Sequence, residues 1–111
     1  MQSIEQVLFE LKNDKRLKDV KIGADAHDVL SVFGKPDKPF QPNMMITERG
    51  FQGYIAVGTY YLVKKDKFVG YMEVICSVTP KQAGVVNGTT KFIPGYLDKI
   101  INIEIGIKEF E

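Results

Sequence analysis

Tyr54-Ile55-Ala56-Val57-Gly58-Thr59-Tyr60-Tyr61-Leu62-Val63 and Phe68-Val69-Gly70-Tyr71-Met72-Glu73-Val74-Ile75-Cys76-Ser77 stand either side of Lys64-Lys65-Asp66-Lys67. β-Branched and aromatic residues fill both runs, and a polar tetrad separates them, which is the pattern of a β-hairpin. With Val63 opposite Phe68, one face carries Tyr61, Thr59, Val57 and Ile55 against Gly70, Met72, Val74 and Cys76. The other face then carries Leu62, Tyr60, Gly58 and Ala56 against Val69, Tyr71, Glu73 and Ile75. Successive side chains alternate between faces, so a slip of one residue exchanges the faces of one strand.

Upstream of this hairpin the apolar period is that of a helix. Ala26, Val29, Leu30 and Phe33 fall at i, i+3, i+4 and i+7, with Asp25 placed to cap the start, Gly34 to end the helix and Pro36 to stop it. Ile4, Val7, Leu8 and Leu11 repeat that stripe behind Ser3-Ile4-Glu5-Gln6, a capping-box spacing, and the helix is expected to fade near Asn13-Asp14. Val20 to Gly23 is an extended lead-in. Lys35 to Asn43 holds Pro36, Pro39 and Pro42 and is expected to be irregular, with Met44–Arg49 a weak strand candidate.

Downstream, Ile101, Ile103, Ile105 and Ile107 alternate with Asn102, Glu104, Gly106 and Lys108, the mark of a strand with one buried face. Asn87-Gly88 and Pro94-Gly95 are turn signals, with a short strand expected around Thr89–Ile93. Helices first and strands afterwards predict one α+β domain over residues 1–111. Two N-terminal helices are expected to pack on one face of a four- to five-stranded antiparallel sheet.

The chain has 111 residues, 44% of them hydrophobic and 26% charged, with 15 Lys+Arg against 14 Asp+Glu. That supports a real core and gives no bulk field for nucleic acid or an anionic membrane. The single cysteine excludes an internal disulfide framework and a cysteine-based zinc site, and the single histidine excludes any site needing two. The first residues have neither a basic n-region nor an apolar stretch, and no run approaches the ~20 residues of a membrane span, so a cytoplasmic location is expected.

Chemistry is sparse. His27 lies between Asp25 and Asp28 at a helix start with no matching nucleophile, and is expected to be an exposed first-turn residue. Cys76 falls on the inward face and is expected to behave as a small hydrophobe. The lysines at 64, 65 and 67 read as a solvated hairpin tip, and the basic stretch from Lys12 to Lys21 as a solvated helix end. The glycines at 84, 88 and 95 lack phosphate-loop spacing, Asn87-Gly88-Thr89 fits a turn, and the carboxylates are scattered. No catalytic set is visible, and neither enzymatic activity nor a cofactor is expected.

Ile22-Gly23-Ala24-Asp25-Ala26-His27-Asp28-Val29-Leu30-Ser31-Val32-Phe33-Gly34-Lys35-Pro36-Asp37, together with the hairpin that follows, resembles two small bacterial groups. One is the BamE/SmpA-like assembly lipoproteins and their relatives among β-lactamase inhibitor proteins. The other is the immunity proteins of contact-dependent inhibition and other polymorphic toxin systems. The shared residues serve turns and packing, so no functional residue carries over. The chain lacks a lipobox cysteine near its start, which favours the second group. That resemblance implies a non-catalytic immunity protein whose partner is a cognate toxin domain.

The rival readings are a small ligand-binding or BamE-like assembly module, and single-stranded nucleic-acid binding on tyrosine platforms, against which the near-zero net charge argues. The expected partner surface is the outer sheet face, centred on Tyr60, Tyr71 and Glu73 with Asn102 and Glu104 at its rim. A homodimer closing on the same face is the blander use of that surface.

Overall fold

In the computed structural model, which describes residues 4–109, helix α1 (Ile4–Lys12) is followed by a 3-10 helix (Lys15–Asp19) and helix α2 (Ala26–Phe33). Four strands complete the chain: β1 (Lys38–Thr47), β2 (Gly50–Lys65), β3 (Phe68–Val86) and β4 (Thr89–Glu109). They pair antiparallel in the order β1-β2-β3-β4, an unbroken meander with both helices ahead of it. The α+β class is as the change of period predicts. The proposed Ser3 cap lies outside the described residues.

Helix α2 forms as its signals indicate. Asp25 accepts the His27 backbone N–H at 2.8 Å, and Gly34, at φ 75°, returns its N–H to the Leu30 carbonyl at 3.0 Å. Ala26 and Val29 are buried beneath it. In α1, Val7 and Leu11 are buried, and Leu11 lies so close to Gly70 that a Cβ there would sit 2.8 Å from its side chain. Between the helices, Asp14 caps the 3-10 turn and grips Arg16 through Nε at 3.0 Å and Nη2 at 2.7 Å. That guanidinium lies 4.7 Å from the centre of the Phe33 ring, so part of the basic stretch is structural. The core is Val20, Ala26, Val29, Tyr60, Met72, Val74, Cys76 and Ile100, sandwiched between the helices and one sheet face.

Four expectations are corrected. First, Lys38–Asn43 is not irregular but is the first half of β1; Pro39 and Pro42 fit because β1 is an outermost strand, where a missing N–H need not cost a ladder bond, and the register slips between Lys38 and Gln41. Second, Pro94-Gly95 is not a turn. Pro80 faces Pro94 inside the β3–β4 ladder, which runs on past them through register shifts at Val78/Pro80 and Gln82/Gly84, and Gly95 is needed there because a Cβ would strike the Thr79 carbonyl oxygen. Asn87-Gly88, both with positive φ, is the turn that closes this ladder.

Third, the β2–β3 register differs. The tight turn at Asp66-Lys67 sets Lys65 opposite Phe68, and a bulge at Leu62 then shifts the pairing by one residue. Tyr60 therefore faces Met72, and Tyr61 faces Tyr71. Ala56, Gly58 and Tyr60 point to the helices, while Ile55, Val57, Thr59 and Tyr61 point away. Fourth, the β4 alternation breaks at Ile101, where another bulge leaves Ile100 opposite Cys76 and Asn102 opposite Ile75. Ile100 is buried, whereas Ile101 is exposed.

The last β2–β3 pair is Tyr54 with Val78. Beyond it the sheet forks into two ribbons. One is the β1–β2 hairpin end, closed where Thr47 meets Gly50, and the other is the β3–β4 arm, closed where Val86 meets Thr89. The arms draw the molecule out to 62 × 29 × 25 Å.

Candidate functional site

Of the five residues expected at the partner surface, four share the helix-free face and one does not. Tyr71 faces Gly106 across the β3–β4 ladder, Glu73 faces Glu104, and Ile75 faces Asn102. Tyr60 is on the opposite side, 3% exposed. Its hydroxyl donates to the Gly34 carbonyl at 2.8 Å, and its ring packs 5.3 Å from that of Phe33. Burial pushes its phenol up to about 12, helped by the neighbouring Cys76 and Asp37. Tyr60 is a core residue because the bulge at Leu62 turns it inward, and Tyr61 holds the outer position.

The outer face is also less apolar near the closing turn than the sequence implies. The Tyr71 hydroxyl lies over Gly106, where a Cβ would approach it to 2.7 Å, so an aromatic ring covers a bare backbone. Lys64 and Lys108 place their ammonium groups 5.2 and 5.9 Å from the centre of the Tyr61 ring. Their register positions flank Val69, which is fully buried. Glu73 and Glu104 stand directly opposite each other, a like-charge pair that is unfavourable unless a cation answers it.

A second apolar surface, which the sequence does not signal, lies at the fork. A groove of about 450 Å³ opens where β2 and β3 separate, lined chiefly by Met45, Phe51, Tyr54, Ile55, Val78 and Ile101. Phe51 stacks edge-on against Tyr54 with ring centres 5.2 Å apart. Met44, Ile46, Phe51 and Tyr96, at and around the fork, each expose more than half their surface. The apolar Ile55 and the half-buried Val57 and Ile75 connect this groove to the tyrosines along the outer face.

The remaining candidates are placed as follows. His27 is exposed, with Nδ1 2.9 Å from Asp25 Oδ1. The His27 backbone N–H, and after it the imidazole, hold the Asp25 carboxyl below its ordinary range. Cys76 is fully buried, beside Ala56 rather than Ile55, and burial pushes its thiol up to about 11, so it stays protonated at neutral pH. At the hairpin tip, Lys65 pairs with Glu10 of α1 at 3.0 Å. Among the described residues no cluster of three or more His, Cys, Asp or Glu could hold a metal ion, and no helix is long and apolar enough to cross a membrane.

Nothing matches this chain among known protein families, curated proteins or solved structures.

Proposed function

We propose that this chain is a non-catalytic protein-binding module that neutralises a cognate toxin domain, acting in the cytoplasm. The observation that carries the binding part is the fork: two projecting ribbons with an apolar groove between them and aromatic and methionine side chains exposed around it. Contiguous apolar surface rich in Met, Phe and Tyr is what protein interfaces use at their cores. A small-molecule pocket would enclose its ligand, whereas this groove runs out onto the arms and along the outer face, a shape suited to a macromolecular partner.

The toxin assignment draws on the resemblance of Ile22–Asp37 and on the chain's lack of a recognisable catalytic set. On the outer face Glu73 offers a rim contact for basic groups, which a toxin acting on anionic substrates carries. The binding centre moves accordingly from Tyr60 to Phe51, Ile55 and Ile101, with Tyr61, Tyr71 and Glu73 extending it.

Co-expression tests this directly. The gene next to this one should encode a toxin domain whose expression arrests growth, and this chain should restore growth and copurify with the toxin at a one-to-one ratio. Growth arrest that persists with the chain folded and abundant would reject the role.

A further inference from the structure

β4 is an outermost strand, and only a short part of its free edge is covered. Gly23 donates to the Ile100 carbonyl at 2.7 Å, and Ile100 donates to the Ala24 carbonyl at 2.9 Å, so the segment leading into α2 occupies that one position. From Ile101 to Glu109 the edge has no further strand beside it among the described residues. The Ile103 N–H is accepted by Asn102 Oδ1 at 3.0 Å and is therefore directed off the sheet. Alternation then sends the backbone N–H and C=O groups of Ile105 and Ile107 outward as well. Long open edges of this kind are templates for pairing with another strand.

We infer that β4 pairs antiparallel with β4 of a second copy, in a twofold register centred on Gly106. This inference is independent of any toxin. Three features select the occupant and the register. With Gly106 opposite its own symmetry mate, Glu104 of each copy faces Lys108 of the other, and each Lys108 ammonium leaves its own Tyr61 ring to give two opposite-charge pairs across the outer face. A centre at Glu104 would oppose like charges, and centres at Ile105 or Ile107 pair no charges at all. The same register lets Lys108 answer a carboxylate that its own sheet sets against Glu73.

On the helix side, Ile105 falls opposite Ile107 of the second copy, twice over. Ile105 is 49% exposed in the single chain, and beside it a groove of about 240 Å³ is lined by Leu8, Leu11, Leu17 and Ile107. The four isoleucines would close over the axis there. Because Ile105 and Ile107 direct their backbone groups outward, these pairs also exchange hydrogen bonds between the copies. The result is an eight-stranded sheet with all helices on one side and the two forks at opposite ends.

Sedimentation velocity of the full chain, from about 1 µM to about 1 mM, tests this. A concentration-dependent dimer is expected. Lys108→Glu, at an exposed position, turns two attractive pairs repulsive and should raise the dissociation constant about tenfold, with an unchanged circular dichroism spectrum. Glu104→Lys combined with Lys108→Glu restores the pairing with signs exchanged and should return the constant to near the wild-type value. A chain that stays monomeric throughout overturns the proposal. So does a dimer indifferent to Lys108→Glu, or one that the double exchange fails to rescue.

Discussion

Tyr60 joins β2 to the end of α2 through one hydrogen bond and one ring contact, and both are local enough to be removed separately. Tyr60→Phe keeps the ring and loses the bond to the Gly34 carbonyl, which should cost about 1 kcal/mol and lower Tm by about 4 °C in a thermal melt. Tyr60→Ala removes the packing too and should cost about 3–5 kcal/mol. Tyr61→Ala, on the outer face, should change stability far less. Tyr60 and Cys76 also set an alkaline limit. The unfolded chain ionises its thiol near 9 and its phenol near 10, whereas the fold holds them at about 11 and about 12. The unfolded state therefore releases these protons first, so stability is fully present below pH 9 and is lost as pH rises through 12. Each displacement is worth about 3 kcal/mol, so urea midpoints should fall steeply across that window and hold steady from pH 7 to 9. Which tyrosine is inside was not legible in the sequence. Two adjacent tyrosines satisfy either face, and the choice belongs to the bulge at Leu62, a residue no different in kind from its neighbours.

Helix α2 was the most legible element because its cap, its apolar stripe and its stop lie within a dozen residues and agree. Asp25→Ala removes the acceptor for the His27 N–H and should destabilise the protein by about 1 kcal/mol in urea titrations. The Asn87-Gly88 turn was equally plain, since both residues must adopt positive φ and these types do so at low cost. The strands were harder. Proline signals irregular chain only if the segment is central, and Pro39 and Pro42 occupy an edge; at Pro94-Gly95 a turn pair lies inside a ladder. Neither context is local. Among the described residues the β3–β4 arm beyond Val78 has no third strand and no helix on it, so its ladder lacks the support the rest of the sheet enjoys. Hydrogen exchange should follow this division, with amides from Lys81 to Lys91 exchanging well before those from Met72 to Cys76. Equal protection along the whole of β3 would mean that something covers the arm.

The shape of the whole molecule follows from the fork. The radius of gyration is 17.0 Å, against about 13 Å for a compact domain of roughly this length. Small-angle scattering of a dilute sample should give the larger value. Composition and periodicity do not encode such a shape, because the extra length comes from two long hairpins whose strands look like any others. It is also what separates the core, where Tyr60 and Cys76 are spent, from the apolar surface that remains available at the fork. The proposed use of that surface is best measured by calorimetric titration of the cognate toxin domain that the proposed function requires with the wild type, Phe51→Ala and Tyr60→Phe. Phe51→Ala should weaken binding by about 30-fold, the loss of a well-packed aromatic anchor, while Tyr60→Phe binds as the wild type does. Full affinity in Phe51→Ala, with loss in Tyr60→Phe, would contradict a partner surface at the fork.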